Sequence, residues 1–180
     1  MKSDYRANEC HIAIDVETTG LSPRFGGRII EIAAVIMSAD GFGAEFQTLI
    51  NPGVNVPVAA KRVNGISTAM LRNKPEPPDV FPEFKEFIGG HTLLAHNAAF
   101  DMGFLRSEFL RLNMETHNPN ICTLKMSRKL LPGLPDYKLA TVYRHLFGCL
   151  PREARHRALT DAKMAGRIWL ELTKRGNKHA

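Results

Sequence analysis

Ile12, Ile14 and Val16 alternate with Ala13, Asp15 and Glu17, a period of two that predicts a β-strand buried on both faces. The strand ends at Thr18-Thr19-Gly20, where a glycine lets another backbone come close. Residues 21–27 read as a loop. The apolar run over residues 28–38 and the shorter one over 44–50 predict two more strands. Asp40-Gly41 between them is a hairpin signal, so the chain is expected to open with an antiparallel meander.

The periodicity then changes. Residues 58–63 predict a helical turn, and Ser67 suits the N-cap of a helix to Arg72. Pro75, Pro77 and Pro78 make residues 73–79 a stiff surface connection. Asp79 is expected to start a helix that buries Val80, Phe84, Phe87 and Ile88 and stops at Gly89-Gly90. Residues 92–95 form a short buried strand, and His96-Asn97-Ala98-Ala99 turns it into a helix over 100–112. A last strand is expected at Ile121-Cys122, with helices over 123–131, 138–147 and 158–174 and a frayed basic tail at 175–180. Strands first, then alternating helices and strands, predict an α/β fold with a mixed sheet.

Composition narrows the class. The 180 residues suit one domain with a sizeable core; 44% hydrophobic and 23% charged residues are ordinary for a globular chain. The net charge of +6 suits a polyanionic partner and equally an indifferent basic surface. Cys10, Cys122 and Cys149 lie far apart with no metal-ligand spacing, which disfavours zinc and a disulfide framework and fits a reducing cytoplasm. The polar first ten residues do not read as a signal peptide, and no run approaches a membrane span. A cytoplasmic protein without a membrane partner is the expectation.

Candidate chemistry starts with Asp15 and Glu17, two apart on a strand and so on one face. Paired carboxylates repel, and burial raises the cost of their charge. A hard divalent cation such as Mg²⁺ or Mn²⁺ would relieve them, although a strand tip running out into water gives the same triplet. Asp101 leads the stripe Phe104, Leu105, Phe109 and Leu112, and Asp161 leads Ala165, Ile168, Trp169 and Leu172. A first-turn aspartate is favoured by the helix dipole, but these two head apolar stripes and face inward, where a carboxylate needs a partner. Four carboxylates converging would make a two-metal site. His156, five residues before Asp161 in a polar stretch, suits either a general base or a solvated surface histidine. Arg152, Arg155 and Arg157 around it are candidates to meet phosphates. His96 is expected to pack or hydrogen-bond at its turn.

Taken in order, Asp15-Val16-Glu17-Thr18-Thr19-Gly20, His96-Asn97-Ala98-Ala99-Phe100-Asp101 and His156-Arg157-Ala158-Leu159-Thr160-Asp161 resemble the three exonuclease motifs of the DnaQ-like DEDDh family. Val63-Asn64-Gly65-Ile66-Ser67 resembles that family's substrate-side loop. The resemblance runs from about His11 to Leu172. Through residues 125–147 it leans towards the proofreading (epsilon) subunits of bacterial replicative DNA polymerase.

The resemblance implies a ribonuclease H-like fold, a mixed five-stranded sheet flanked by helices. It implies one exonuclease domain over 1–180, with its core at about 10–174. It also implies metal-dependent 3′–5′ exonuclease activity on DNA that releases nucleoside monophosphates, with two Mg²⁺ or Mn²⁺ ions and proofreading as a candidate role. Carried over residue by residue, Asp15, Glu17, Asp101 and Asp161 would ligate metal, and His156 would deprotonate the attacking water. Thr18 and Leu21 would contact the terminal nucleotide, Asn97 and Phe100 would shape the pocket, and Ile66 would touch a terminal base. The implied partners are the 3′ end of single-stranded DNA or RNA and a DNA polymerase subunit. The chain stops just after its last helix, which keeps a stand-alone enzyme, or one docking through its folded surface, equally in view. Trimming of RNA 3′ ends is the rival within the family, because the 2′-hydroxyl contact that discriminates is a matter of geometry. A nucleic-acid-binding module without catalysis is the rival outside it, although all five chemistry-bearing positions are filled.

Overall fold

The structure, a computed structural model, describes residues 10–38, 41–151 and 157–177. Five strands form one mixed sheet in the order β3-β2-β1-β4-β5. β1 (His11–Thr18), β2 (Ile29–Ser38) and β3 (Gly41–Leu49) are the antiparallel meander read from the sequence. Asp40 of the expected hairpin signal lies outside the described residues; Ser38 and Gly41 on either side of it are paired. β4 (Thr92–Ala95) and β5 (Asn120–Cys122) add parallel on the other side of β1. Among the described residues, seven α-helices and a short 3-10 turn at Pro23–Phe25 complete the chain: α1 (Val58–Asn64), α2 (Thr68–Leu71), α3 (Pro77–Ile88), α4 (Ala98–Arg111), α5 (Thr123–Leu130), α6 (Leu139–Phe147) and α7 (Ala158–Asn177).

The two faces of β1 have different jobs. Ile12, Ile14 and Val16 pack under α3 and α4 against Val80, Phe81, Phe84, Phe104, Leu105 and Phe109. Ala13 faces the other way, with Val35, Met37 and Leu94, and is covered by Ala162 and Ala165 of α7. That helix presents small residues to the sheet and can therefore lie close to it. A Cβ on Gly166 would come within 2.6 Å of Met37 Sδ and 3.0 Å of Phe42 Cε1. Asp15 and Glu17 continue the Ala13 face, so the close-lying helix brings its own first turn to them.

β4 is short, and that shortness opens the site. On β1 it pairs only with His11, Ile12 and Ala13, and it ends at Ala95, so the last residues of β1 run past it. The first turn of α4 fills that space. The register then shifts between Glu17 and Thr18, skipping Ile30 of β2, a bulge-like irregularity of the kind common beside functional sites.

Some boundaries differ from the sequence reading. α3 starts at Pro77, because Pro77 and Pro78 occupy the first turn, where a missing N–H costs nothing. Asp79 is its third residue and accepts a hydrogen bond from the Glu76 N–H at 3.1 Å, half of a capping box. α7 continues to Asn177 with an Arg175–Glu171 ion pair at 2.9 Å, so the expected frayed tail is helical for its first three residues. No helix among the described residues is long and apolar enough to cross a membrane.

Two ion pairs, each built on a buried carboxylate, add to the elements expected from the sequence. Arg28 forks onto Glu108 of α4, Nε at 2.7 Å and Nη2 at 2.9 Å, and donates a third bond to the Pro52 carbonyl. Glu31 of β2 holds Arg157 at the entrance to α7, with Nη2 at 2.9 Å from Oε1.

Candidate active site

A cleft of about 480 Å³ opens at the tip of β1. Asp15 and Glu17 from β1, Asp101 from α4 and Asp161 from α7 all line it. Asp15, Glu17 and Asp161 each offer a carboxylate oxygen, and these oxygens lie within 4.8 Å of one another. Asp101 is buried beside them, close enough to repel Asp15. The four acids named from sequence, spread over nearly 150 positions, therefore meet at one place.

Electrostatics at this place is unfavourable without a cation. Burial pushes the Glu17 carboxyl up to about 8; Asp161 and Glu31 add repulsion, while the Asn64 amide pulls the other way. Burial likewise raises Asp101 to about 7 against the opposing pull of the Asp101 and Val16 N–H groups. The Val16 N–H is free to help because β4 has already ended. Asp15 is raised well above the usual carboxylate range, first by burial and then by Asp101, Asp161, Glu17 and Glu31. Oxygen-only ligands, several charges and this mutual repulsion form a donor set suited to hard divalent cations.

The other expected residues divide. Thr18 is buried at the cleft wall, its hydroxyl donating to the Gly20 carbonyl at 2.7 Å. Leu21 also lines the cleft and is 91% exposed, an apolar side chain held out at the mouth. Phe100 lines the cleft as well, its ring 4.9 Å from that of Phe104. Asn97 stands outside the wall: it is exposed, adopts the left-handed conformation (φ 77°) and precedes α4, so its contribution is the turn itself. Ile66 also departs from expectation. It is 1% exposed and packs with Ile30 and Leu71 in a small core, and Val63 and Asn64 just before it face the cleft instead. Gly65, in the left-handed region (φ 74°), ends α1 and turns the chain between those two positions.

His156, Arg152 and Arg155 lie outside the described residues. Arg157, a candidate phosphate contact, is instead engaged by buried Glu31. His96 behaves as expected at its turn: Nε2 donates to the Tyr137 carbonyl at 2.8 Å, and Nδ1 lies 2.9 Å from Thr123 Oγ1. Burial lowers its pKa, favouring the neutral ring.

Asn64 lines the cleft beside the acids. Its amide donates to the Thr18 carbonyl at 3.3 Å and favours the Glu17 carboxylate, while its Oδ1 accepts from the Ile66 N–H at 3.0 Å. It ties α1 to the strand tip. Its place in a quoted motif, just before a turn glycine, was the available signal.

Comparison with known proteins agrees with this geometry. A profile of the exonuclease family RNase_T matches residues 12–169. A PolC-type DNA polymerase III of Bacillus cereus is 37% identical over 169 residues, 93% of this chain but 12% of that protein. The chain thus spans a small part of the polymerase relatives it matches. The DNA polymerase III epsilon subunit of Aquifex aeolicus is 33% identical over 162 residues, covering 89% of this chain and 79% of the relative. A solved structure of Exonuclease X in complex with 5′ overhanging duplex DNA superposes with a TM-score of 0.74 at 30% identity, over 91% of each chain. With its mixed five-stranded, ribonuclease H-like sheet and a profile match across most of its length, the chain belongs to the exonuclease family RNase_T.

Proposed function

We propose that this chain is a metal-dependent 3′–5′ exonuclease that releases nucleoside monophosphates from DNA, with proofreading beside a replicative polymerase as its setting. The observation that carries the reading is the convergence of Asp15, Glu17, Asp101 and Asp161 in one cleft. In this reading those four acids hold two divalent cations, Mg²⁺ or Mn²⁺. The ions, when bound, supply positive charge opposite the negative charge that builds on a phosphodiester under attack and make water easier to deprotonate.

The chain's own residues do the rest. His156, five residues before Asp161, accepts the proton of the attacking water and must be neutral to do so. Leu21 and Phe100 offer apolar surface for the terminal base, and Thr18 borders the sugar side. The relatives named as polymerase III proteins support a polymerase partner, and the DNA-bound structure of Exonuclease X supports a DNA strand in the cleft.

The test is time-resolved product analysis on 5′-labelled DNA and RNA oligonucleotides of matched sequence, with Mg²⁺, Mn²⁺ or EDTA. A ladder shortened one nucleotide at a time from the 3′ end, lost in EDTA and faster on DNA, is expected. Faster shortening of RNA would move the substrate to RNA 3′ ends. No metal-dependent shortening of either strand would overturn the reading and leave a binding module.

A further inference from the structure

Beside the four acids of the cleft lies a fifth, and an arginine answers it. Glu31 is fully buried on β2, directly opposite Glu17. Its Oε1 accepts from Arg157 Nε at 3.1 Å, from Arg157 Nη2 at 2.9 Å and from Gln47 Nε2 at 2.8 Å. Its Oε2 faces the Ala158 N–H at 3.4 Å, the first residue of α7. The carbonyl of Arg157 in turn accepts the helical bond of the Asp161 N–H at 3.1 Å. A carboxylate from the sheet thus caps the helix that carries Asp161, a task usually done by a side chain at the helix's own N-terminus.

We propose that Glu31 and Arg157 are positioning residues of the metal site: their forked pair clamps the first turn of α7 to β2 and so sets the Asp161 carboxylate against Asp15 and Glu17. The inference rests on the nuclease reading of the same cleft. Apolar contacts of α7 with the sheet start at Leu159 in that turn and run through Ala162 and Ala165, but they are not directional. Lys163 meets Glu45 of β3 at 2.8 Å, but both are about one-third exposed, where an ion pair is worth little. Close packing at Gly166 fixes the helix at its middle, and the Glu31–Arg157 pair adds a directional, hydrogen-bonded tie at its first turn. Lateral play there of even a fraction of an ångström would change how Asp161 meets the cations.

The test uses the full chain with Glu31→Gln, Arg157→Lys, which keeps the charge but loses the fork, and the double Glu31→Gln/Arg157→Gln. Mn²⁺ binding is read by titration calorimetry, and kcat and KM on a single-stranded DNA oligonucleotide. Each single variant is expected to lower kcat and Mn²⁺ affinity about 10- to 100-fold, in the range of lost outer-shell contacts. KM should stay within about twofold, because the strand's own contacts are untouched. The double should be no worse than the singles, since both act through one pair. A folded variant with kcat and Mn²⁺ affinity within about twofold of the parent would reduce the pair to a structural strut and overturn the proposal. Arg157 is half-exposed, so Arg157→Lys decides the matter if Glu31→Gln does not fold. Failure of both to fold also overturns it. A parent chain that binds Mn²⁺ but releases no nucleotide would sink the nuclease reading alone, and the Mn²⁺ affinities would then judge the pair.

Discussion

Glu17 and Glu31 stand opposite each other across β1 and β2, and they are neutralised differently. Glu31 has the Arg157 guanidinium at 2.9 Å; Glu17 has the neutral Asn64 amide and is pushed up to about 8. Like charges directly opposed on one sheet face destabilise it. The arginine quenches one member of the pair and leaves the other available to a cation. Five carboxylates with one guanidinium leave four negative charges when all are ionised, which two divalent cations would balance.

This asymmetry makes the metal-free fold sensitive to pH in a direction opposite to most carboxylates. Glu17 ordinarily titrates at 4.5 and here at about 8; Asp101 moves from 3.8 to about 7. Between those values the folded chain holds more protons than the unfolded one, so stability declines as pH rises through the window and levels off above about 8. Melting temperature in EDTA should fall steadily from about pH 5 to pH 8, and saturating Mn²⁺ should remove most of the slope. A flat profile in EDTA contradicts the burial-driven shifts.

The ligands themselves should separate activity from folding. Asp15→Ala and Asp161→Ala are expected to reduce turnover by more than the roughly hundredfold typical of outer-shell losses. Both should melt at or above the parent's temperature in EDTA at about pH 8, because each removes charge from a repelling cluster. Steady-state rates and thermal melts on the same samples check both halves. Either variant shortening a single strand at the parental rate would show that the acids have been assigned the wrong task.

The sequence displayed this site through its periodicities. Period two put Asp15 and Glu17 on one face of β1, and apolar stripes behind Asp101 and Asp161 turned both inward. Glu31 was hidden by the same logic: in a strand buried on both faces no alternation singles out a position, and its partner is 126 residues away. Glu108 was hidden inside a helix whose stripe residues it neighbours, and Arg28 inside a strand start. Ile66 was misplaced because the left-handed Gly65 turns the chain away from the cleft, a rotation that the spacing of apolar residues does not reveal. The start of α3 was missed because prolines serve equally in a stiff connection and in a first helical turn.

Asn64 offers a test of second-order tuning. Its amide holds the Glu17 carboxyl down and the Thr18 carbonyl in place. Asn64→Ala removes both, and it strips the Ile66 N–H of its acceptor. Leaving such buried groups unsatisfied costs about 1–3 kcal/mol. Glu17 should rise further, so more metal is needed for half-maximal rate near neutral pH and the difference should shrink at higher pH. The metal dependence of the initial rate, measured at two pH values either side of about 8, checks it. An unchanged metal requirement at the lower pH would mean that the amide does not reach Glu17 in solution.

The cleft mouth depends on a strut remote from the chemistry. Loop residues 20–27, which carry the exposed Leu21, are closed at their base by Thr19 and Arg28: Thr19 N–H donates to the Arg28 carbonyl and Arg28 N–H to Thr19 Oγ1, both at 2.9 Å. Arg28 is itself fixed by Glu108, which is 2% exposed and also accepts from the Ile29 N–H. Glu108→Ala leaves a nearly buried guanidinium without its carboxylate, a loss worth about 3–5 kcal/mol. The melting temperature should drop accordingly, and Leu21 should lose its fixed place at the mouth. KM for an oligonucleotide is therefore expected to rise more than kcat falls, the reverse of the pattern expected for Glu31→Gln. Replacing the pair together, Arg28→Met with Glu108→Leu, should recover part of the stability, since an apolar pair needs no desolvation although the Ile29 N–H loses its acceptor. The raised KM should persist in that double variant, because a thioether cannot donate to the Pro52 carbonyl as the Arg28 guanidinium does at 3.1 Å. A double variant with parental KM would show that the strut serves stability and has no part in holding the strand.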